Sequence, residues 1–435
     1  MMRLSMRVYV RLTLVALTVL LLPAAAGAQG HMLHGVGPVN SSMGGAGTAL
    51  PNESLGALTY NPALLAAAEG NQISFATEFF QDGLQIDLTV GSLKGHTTPT
   101  LILGVIPAFG WQLRAPDGKV ALGFGLIGIA GFRTDYPENP QSIVFNRWPN
   151  GFGRIYTDYN LTKIPVAFAV QATPRLAIGA SFNVYRGLLA IAPLPYKVFD
   201  VSPYTGDRYY PVGGNMMPAW AFSGQFGVHV KASDMMSLGA SITTPQNFST
   251  YEWNSYIIDP TSPNYGAHRK LDFDLDGPFL VGFGVGLTPN AKLDVAIDGH
   301  WTKYRGVNGF GGPGGVVDRI VYPFGWRNIW TFKSGVQYKA SDKVTVRGGY
   351  NHSQTPILAE KVLTGTGAPA TFQKHFTGGM GLKMFPFLTA EASFYFVPRE
   401  HIVGPFLDLD GVVPNSTMDT SNSIKSALIG LNFRF

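Results

Sequence analysis

The chain closes on Ser426-Ala427-Leu428-Ile429-Gly430-Leu431-Asn432-Phe433-Arg434-Phe435, and the alternation in this stretch decides the fold. Ala427, Ile429, Leu431, Phe433 and Phe435 fall on one face of an extended chain, and Ser426, Asn432 and Arg434 on the other. That is the two-residue period of a strand with one apolar and one polar side. The period recurs upstream. Trp220, Phe222, Phe226, Val228 and Val230 oppose Ser223, Gln225 and His229; Trp330, Phe332, Val336 and Tyr338 oppose Thr331, Lys333, Gln337 and Lys339; Leu388, Ala390, Ala392, Phe394 and Phe396 oppose Thr389, Glu391, Ser393 and Tyr395. Hydrophobic residues make up 46% of the chain and charged residues 14%, a balance too apolar for disorder. Beyond the first thirty residues no run reaches the roughly 18 apolar residues that a helical span requires. The apolar residues are distributed, and alternation is how strands distribute them.

A soluble sandwich alternates in the same way, so the links between strands must separate the two folds. Strands are expected at 72–90, 98–110, 119–132, 160–172, 175–187, 218–231, 236–249, 269–287, 291–303, 325–339, 343–353, 372–384, 387–398 and 423–435. Short turns sit at Thr173-Pro174, Ser233-Asp234, Pro289-Asn290, Ser341-Asp342 and Phe385-Pro386; longer segments lie between them at 133–159, 188–217, 250–268, 304–324, 354–371 and 399–422. Short turns at one end, long loops at the other and an even strand number are the pattern of a bacterial outer-membrane barrel. The expectation is an all-β fold, an antiparallel transmembrane β-barrel of about fourteen strands, with both termini at the periplasmic end. A closed barrel leaves no unpaired edge in lipid. The terminal Phe435 agrees with it, since outer-membrane barrels characteristically end in an aromatic residue.

At the other end of the chain, Arg3, Arg7 and Arg11 precede or flank an apolar run, Leu12 to Leu22, that is too short to span a bilayer. Pro23 breaks it and Ala26-Gly27-Ala28 supplies a small-x-small cleavage site. Residues 1–28 are therefore expected to be a signal peptide. The formal charge of +5 loses those three arginines with it, leaving +2, which offers nucleic acid no basic surface. The chain has no cysteine, so a disulfide framework and a thiolate nucleophile or metal site are excluded.

Residues 29–71 are small and Gly/Ala-rich, running through Ser41-Ser42-Met43-Gly44-Gly45-Ala46-Gly47 to Tyr60-Asn61-Pro62-Ala63-Leu64-Leu65. So short a segment cannot bury a core of its own. A barrel of this strand number leaves a lumen unless something fills it, so the segment is expected to be a plug, with 72–435 forming the barrel.

Gly44-Gly45-Ala46-Gly47 through Asn61-Pro62-Ala63 resembles the hatch of the FadL family of outer-membrane long-chain fatty acid and hydrocarbon transporters. Leu122-Gly123-Phe124-Gly125 with Gly131, and Val346-Arg347-Gly348-Gly349-Tyr350 with Ser353 and Pro356, are further points of similarity. The resemblance covers the mature chain, although this sequence has Gly44-Gly45-Ala46 where the family usually shows a Gly-Arg-Ala type sequence. It implies a hatch of short helices inside the lumen and passive uptake of long-chain fatty acids or related hydrophobic compounds. Substrate would be captured on apolar extracellular loops, pass to a pocket in the barrel and leave laterally through the wall at a kinked third strand.

On that reading Asn61, Pro62, Ala63, Gly128 and Gly131 are the hatch and gate. The apolar loops supply a capture groove of Leu188, Leu189, Ile191, Leu194, Phe199, Tyr251, Trp253, Tyr256 and Ile257, since contiguous exposed apolar patches usually mark binding sites. A carboxylate headgroup would want a cation. Arg186, Lys333 and Arg347 are the candidates, although Arg186 shares parity with outward Val184 and Arg347 has Glu391 as an alternative partner. No cofactor or metal is expected; His31 and His34 read as incidental. Expected partners are hydrophobic small molecules, outer-membrane lipid and lipopolysaccharide, and the barrel-assembly machinery, with the protein a monomer. His229, His300 and His375 lie on strands without a nucleophile motif, so an enzyme is not expected. A general diffusion porin or structural barrel is the alternative.

Overall fold

The computed structural model describes residues 30–435 apart from 101–102, 147–151, 195–196, 198–199, 202, 205, 207, 258, 318–319, 323 and 409. The expected signal peptide lies outside the described residues.

Fourteen antiparallel strands close into a barrel. They are β1 (Gln72–Asp82), β2 (Gly104–Arg114), β3 (Val120–Tyr136), β4 (Ile155–Thr173), β5 (Leu176–Ala192), β6 (Gly213–Lys231) and β7 (Met236–Thr243). The second half comprises β8 (Phe279–Asn290), β9 (Leu293–Lys303), β10 (Ile329–Lys339), β11 (Val344–Ser353), β12 (Lys374–Phe385), β13 (Leu388–Gly404) and β14 (Ser416–Arg434). Each pairs with its neighbour in sequence, and β14 returns to β1 in a register running from Gln72↔Arg434 to Asp82↔Ile424. The short turns fall where the sequence places them, at the end of the barrel that also holds Gln72 and Arg434.

Four expected strands differ, and one of them, 236–249, ends at Thr243, with Asn247–Phe248 a separate short pairing on β6. The segment 72–90 breaks at Gly83, whose N–H donates to Ser423 O at 2.8 Å. Gln85–Val90 then continues the ladder along the upper part of β14, with Leu93–Thr97 folded back on it. The second wall strand starts at Gly104, six residues later than expected. The segment 269–287 is two elements: His268–Phe273 pairs with Tyr251–Tyr256 as a loop hairpin, and the wall resumes at Phe279. Pro278, without an N–H to give a ladder, stands at the break.

The two faces settle barrel against sandwich. Phe75, Phe124, Phe168, Phe182, Phe222, Phe283, Trp330 and Phe394 point outward and are exposed, whereas Gln112, Asn183, Gln225, Asp298, Lys333 and Asn351 point inward and are buried. This polarity suits lipid outside and a filled, polar lumen.

Three short helices occupy the lumen: α1 (Gly37–Ser42), α2 (Ser54–Tyr60) and α3 (Leu64–Ala67). The wall admits them through inward-facing glycines. A Cβ at Gly123 would lie 2.7 Å from Leu58 and Leu65, one at Gly335 2.5 Å from Met43 Cβ, and one at Gly349 against the backbone of Met43 and Gly44. Glycine is the residue that lets a backbone or side chain approach a strand this closely. Polar ties add to the packing. Asp298 Oδ2 accepts the N–H groups of Gly47 and Thr48, each at 2.8 Å. Lys163 Nζ donates to Leu58 O at 2.9 Å and Lys333 Nζ to His34 O at 3.0 Å. Asn71 and Phe435 exchange backbone bonds of 3.1 and 3.2 Å, joining the end of the hatch segment to the end of β14.

Candidate functional site

The site is built around β3, which carries Gly123, Gly125, Gly128 and Gly131. Its ladder with β2 runs from Arg114↔Ala121 to Ala108↔Ile127 and stops there. Pro107, next in line, has no N–H to continue it. On the β4 side the register shifts at the same height: Gly128 faces Thr162 and Ala130 faces Leu161, leaving Ile129 as an extra, buried residue. This is a β-bulge, which bends a strand and disrupts its ladder. The next bond across is from Thr100 N–H to Asp135 O at 2.9 Å. Among the described residues no ladder pairing joins 104–107 to 128–134, so the wall has a gap.

The start of the described chain lies against that gap from inside. Met32 bridges Ala130; Leu33 N–H donates to Ile129 O at 3.0 Å, and Gly131 N–H to His31 O at 3.3 Å. A cavity of about 280 Å³ adjoins it, bounded by Val105 and Gly128 at the wall and by Trp326, His375 and Tyr395 in the lumen. Its charged lining is Asp82, Asp135, Asp158 and Arg133, and Arg133 lies 3.4 Å from Asp158.

His31 sits beside this cavity in an aromatic cage. Phe310 stacks on the imidazole at 4.5 Å, Tyr304 meets it edge-on at 5.7 Å, and Tyr159 and Trp326 flank it at 6.1 and 6.3 Å. Burial pulls the His31 pKa down to about 3, so the caged ring is neutral. Phe324 packs on Phe310 at 5.4 Å and holds a φ of 54°, a strained conformation for a bulky residue. On its far side Phe324 lines a smaller pocket of about 80 Å³ with Phe152, Ile191, Leu194, Tyr210 and Leu363. Phe324 therefore separates a pocket in the loop cap from the cage.

The expected residues distribute unevenly over this arrangement. Gly128 and Gly131 line the cavity at the bulge. Asn61, Pro62 and Ala63 do not face it, which corrects the expectation. Asn61 Nδ2 donates to Val228 O at 3.0 Å, and Pro62 and Ala63 lie on Gly179 of β5 and Gly227 of β6, where a Cβ would meet them. The segment that faces the bulge is Gly30–Leu33.

Of the loop groove, Ile191 and Leu194 line the cap pocket, and Leu189 is buried beneath the cap. Tyr251 and Trp253 are buried too, stacked at 6.2 Å, with Trp253 Nε1 donating to Asn215 O at 2.8 Å. Leu188 lies on the outward side of β5, Tyr256 is exposed against His268 at 4.4 Å, and Ile257 joins the hairpin turn. Phe199 lies outside the described residues. The nine residues do not form one groove, because the 251–273 hairpin turns its apolar face down onto the wall.

None of the three cations is free for a headgroup. Arg186 points outward, its guanidinium 6.0 Å from the Trp220 ring, since β5 keeps its parity without a bulge. Lys333 is spent on His34 O and the Tyr60 ring, 4.4 Å away. Arg347 donates to Glu391 at 2.7 Å and Gln337 at 2.6 Å, near the short-turn end of the lumen. The cage was not expected. Its sequence signal is the aromatic density of Tyr304, Phe310, Phe324 and Trp326 in a glycine-rich loop, which strand periodicity does not detect. Among the described residues no His, Asp or Glu cluster is arranged to hold a metal.

A family model described as outer membrane protein transport protein (OMPP1/FadL/TodX) matches residues 19–434. No curated protein matches the sequence. Among solved structures, the Pseudomonas putida toluene transporter TodX superposes with a TM-score of 0.67 at 18% identity, covering 93% of this chain and 99% of that one. A Pseudomonas aeruginosa FadL homologue gives 0.68 at 16%, covering 93% and 100%. The Ralstonia pickettii toluene transporter TbuX gives 0.63 at 18%, covering 93% and 99%. At these identities the likeness is one of fold.

Proposed function

The chain belongs to the OMPP1/FadL/TodX family of outer-membrane transport proteins, and on that premise we propose that it takes up neutral hydrophobic small molecules and releases them sideways through its wall. Membership of a transport family places it in the outer membrane and makes it a channel instead of an enzyme. The observation that carries lateral release is the gap between β2 and β3. There the cavity lining includes Leu103 and Val105, which are exposed on the lipid-facing surface. The axial path is blocked by α1–α3 seated on the glycines of the wall, which argues against an open diffusion pore. A neutral substrate is favoured because the cavity's charges are already compensated, Asp158 by Arg133 and Asp135 by Arg154, so a carboxylate headgroup would find no free cation among the described lining residues. Entry would begin at the cap pocket of Ile191, Leu194 and Phe324.

The gap offers a direct test. Ideal Cβ positions at Gly128 and Ile106 are 3.8 Å apart, within disulfide range, and the chain has no cysteine to interfere. An Ile106→Cys/Gly128→Cys barrel should lose about tenfold of its toluene uptake when oxidised and regain it when reduced. Unchanged uptake by the oxidised form would show that substrate leaves elsewhere.

A further inference from the structure

The transport reading makes no use of the cavity at the short-turn end of the lumen. It measures about 730 Å³ and is roofed by Val39, Pro51 and Asn52 of the hatch segment. Outer-membrane barrels carry their short turns on the periplasmic side, so this vestibule opens to the periplasm. Its volume is that of a small-molecule pocket.

Its wall is basic. Lys292 stands just before β9, Lys339 at the end of β10, Lys343 just before β11 and Lys383 near the end of β12, and all four line the cavity. Backbone bonds of 2.8 Å from Lys339 N–H to Lys292 O and from Lys383 N–H to Lys343 O hold them in two neighbouring pairs. Each lies two residues from another lining position, Asp294, Gln337, Thr345 or Gly381, and therefore faces the lumen by the period of a strand. The lipid-facing side at this height is taken by exposed Tyr338, Leu382, Met384 and Phe385. The lysines are thus not anchors for membrane headgroups.

With Arg347 and Arg434 they make six cations against three acids, Asp294, Asp342 and Glu391. That is a net +3 in one cavity of a mature chain whose formal total is +2. The acids do not neutralise the lysines. Glu391 is taken by Arg347 at 2.7 Å, and Asp294 accepts from Thr288 and Gln337 at 2.8 and 2.9 Å. Among the described residues none of the four lysine ammonium groups has a carboxylate within ion-pair distance. Like charges gathered on a concave wall repel one another and focus a positive field into the space between them. A multivalent anion relieves the repulsion and is drawn in by the field.

We infer that this vestibule is a binding site for a small periplasmic polyanion, a molecule carrying two or more phosphate or carboxylate groups, held by Lys292, Lys339, Lys343 and Lys383. The site is separated from the wall gap by the hatch and does not depend on the transport reading. A singly charged anion engages too few of the lysines to be retained.

Isothermal titration of tripolyphosphate, citrate and acetate into the purified full-length barrel, in non-ionic detergent at pH 7 and low salt, tests this. Tripolyphosphate or citrate should saturate at one site per barrel and acetate should give no saturable heat; the tighter of the two tells phosphate from carboxylate. Lys339→Gln/Lys343→Gln should weaken that binding about tenfold or more, the loss expected for charge-assisted contacts. Arg175→Gln/Lys231→Gln, on short turns outside the vestibule, should leave it within twofold. In 1 M NaCl, where charges are screened beyond about 3 Å, the affinity should fall more than tenfold. A heat-dependent gel shift confirms that each variant is folded. If neither polyanion saturates a single site, if the Lys339→Gln/Lys343→Gln barrel binds as wild type does, or if the Arg175→Gln/Lys231→Gln barrel loses as much, the inference is overturned.

Discussion

Single atoms decide how the hatch sits. At Gly349 the wall approaches the backbone of Met43 and Gly44 so closely that a Cβ has no room. Gly349→Val should therefore leave the barrel folded, with its heat-dependent gel shift intact, while residues 30–67 become sensitive to protease. An unaltered digestion pattern would mean that the hatch is not held by that contact. Glu53 sets a second condition. It is buried in the hatch and accepts the Asn40 N–H at 2.8 Å. Burial raises its pKa from 4.5 to about 8, against the opposing effect of that hydrogen bond. Between those values the seated hatch holds a proton that a released hatch gives up, so seating is strongest at low pH and weakens as pH rises from about 4.5 through 8. Hydrogen exchange of the hatch amides, corrected for intrinsic rates, should be faster at pH 9 than at pH 6, and Glu53→Gln should flatten the difference.

At the scale of elements, β3 is the strand that departs from the barrel's regularity. Pro107 ends its ladder with β2, Ile129 shifts its ladder with β4, and the Gly30–Leu33 segment pairs with it from inside. A bulge reverses which face each later residue shows: Leu126 is exposed before it, whereas Thr134 and Tyr136 are buried after it. The Ile106→Cys/Gly128→Cys staple joins two strands without touching the cage or the cap. It should block uptake while leaving 4-fluorotoluene affinity, read by fluorine NMR on the purified barrel, within about twofold of wild type, separating exit from binding.

The molecule as a whole is a closed wall around a seated plug. Such a barrel should show no steady ion conductance in planar bilayers, and deletion of residues 30–67 should open one. Steady conductance by the intact protein would favour the diffusion porin. The deletion is also informative about folding, since a wall lined with glycines such as Gly123, Gly335 and Gly349 loses the partner those glycines accommodate.

Alternation along 426–435 and its repeats was enough to specify strands, their number, their lipid-facing sides and the short turns, because side-chain period and link length are local properties of a chain. The plug was legible for a similar reason: forty residues without a core must borrow one. Gly128 and Gly131 were legible as weak points of a strand. What faced them was not, because contact across a lumen depends on where each strand lands in the closed ring. Only the folded barrel set Asn61-Pro62-Ala63 against β5 and β6, placed Gly30–Leu33 at the gap and drew Tyr304, Phe310 and Trp326 down around His31. Those placements follow from closure and from packing between residues distant in the sequence, which no periodicity in the sequence encodes.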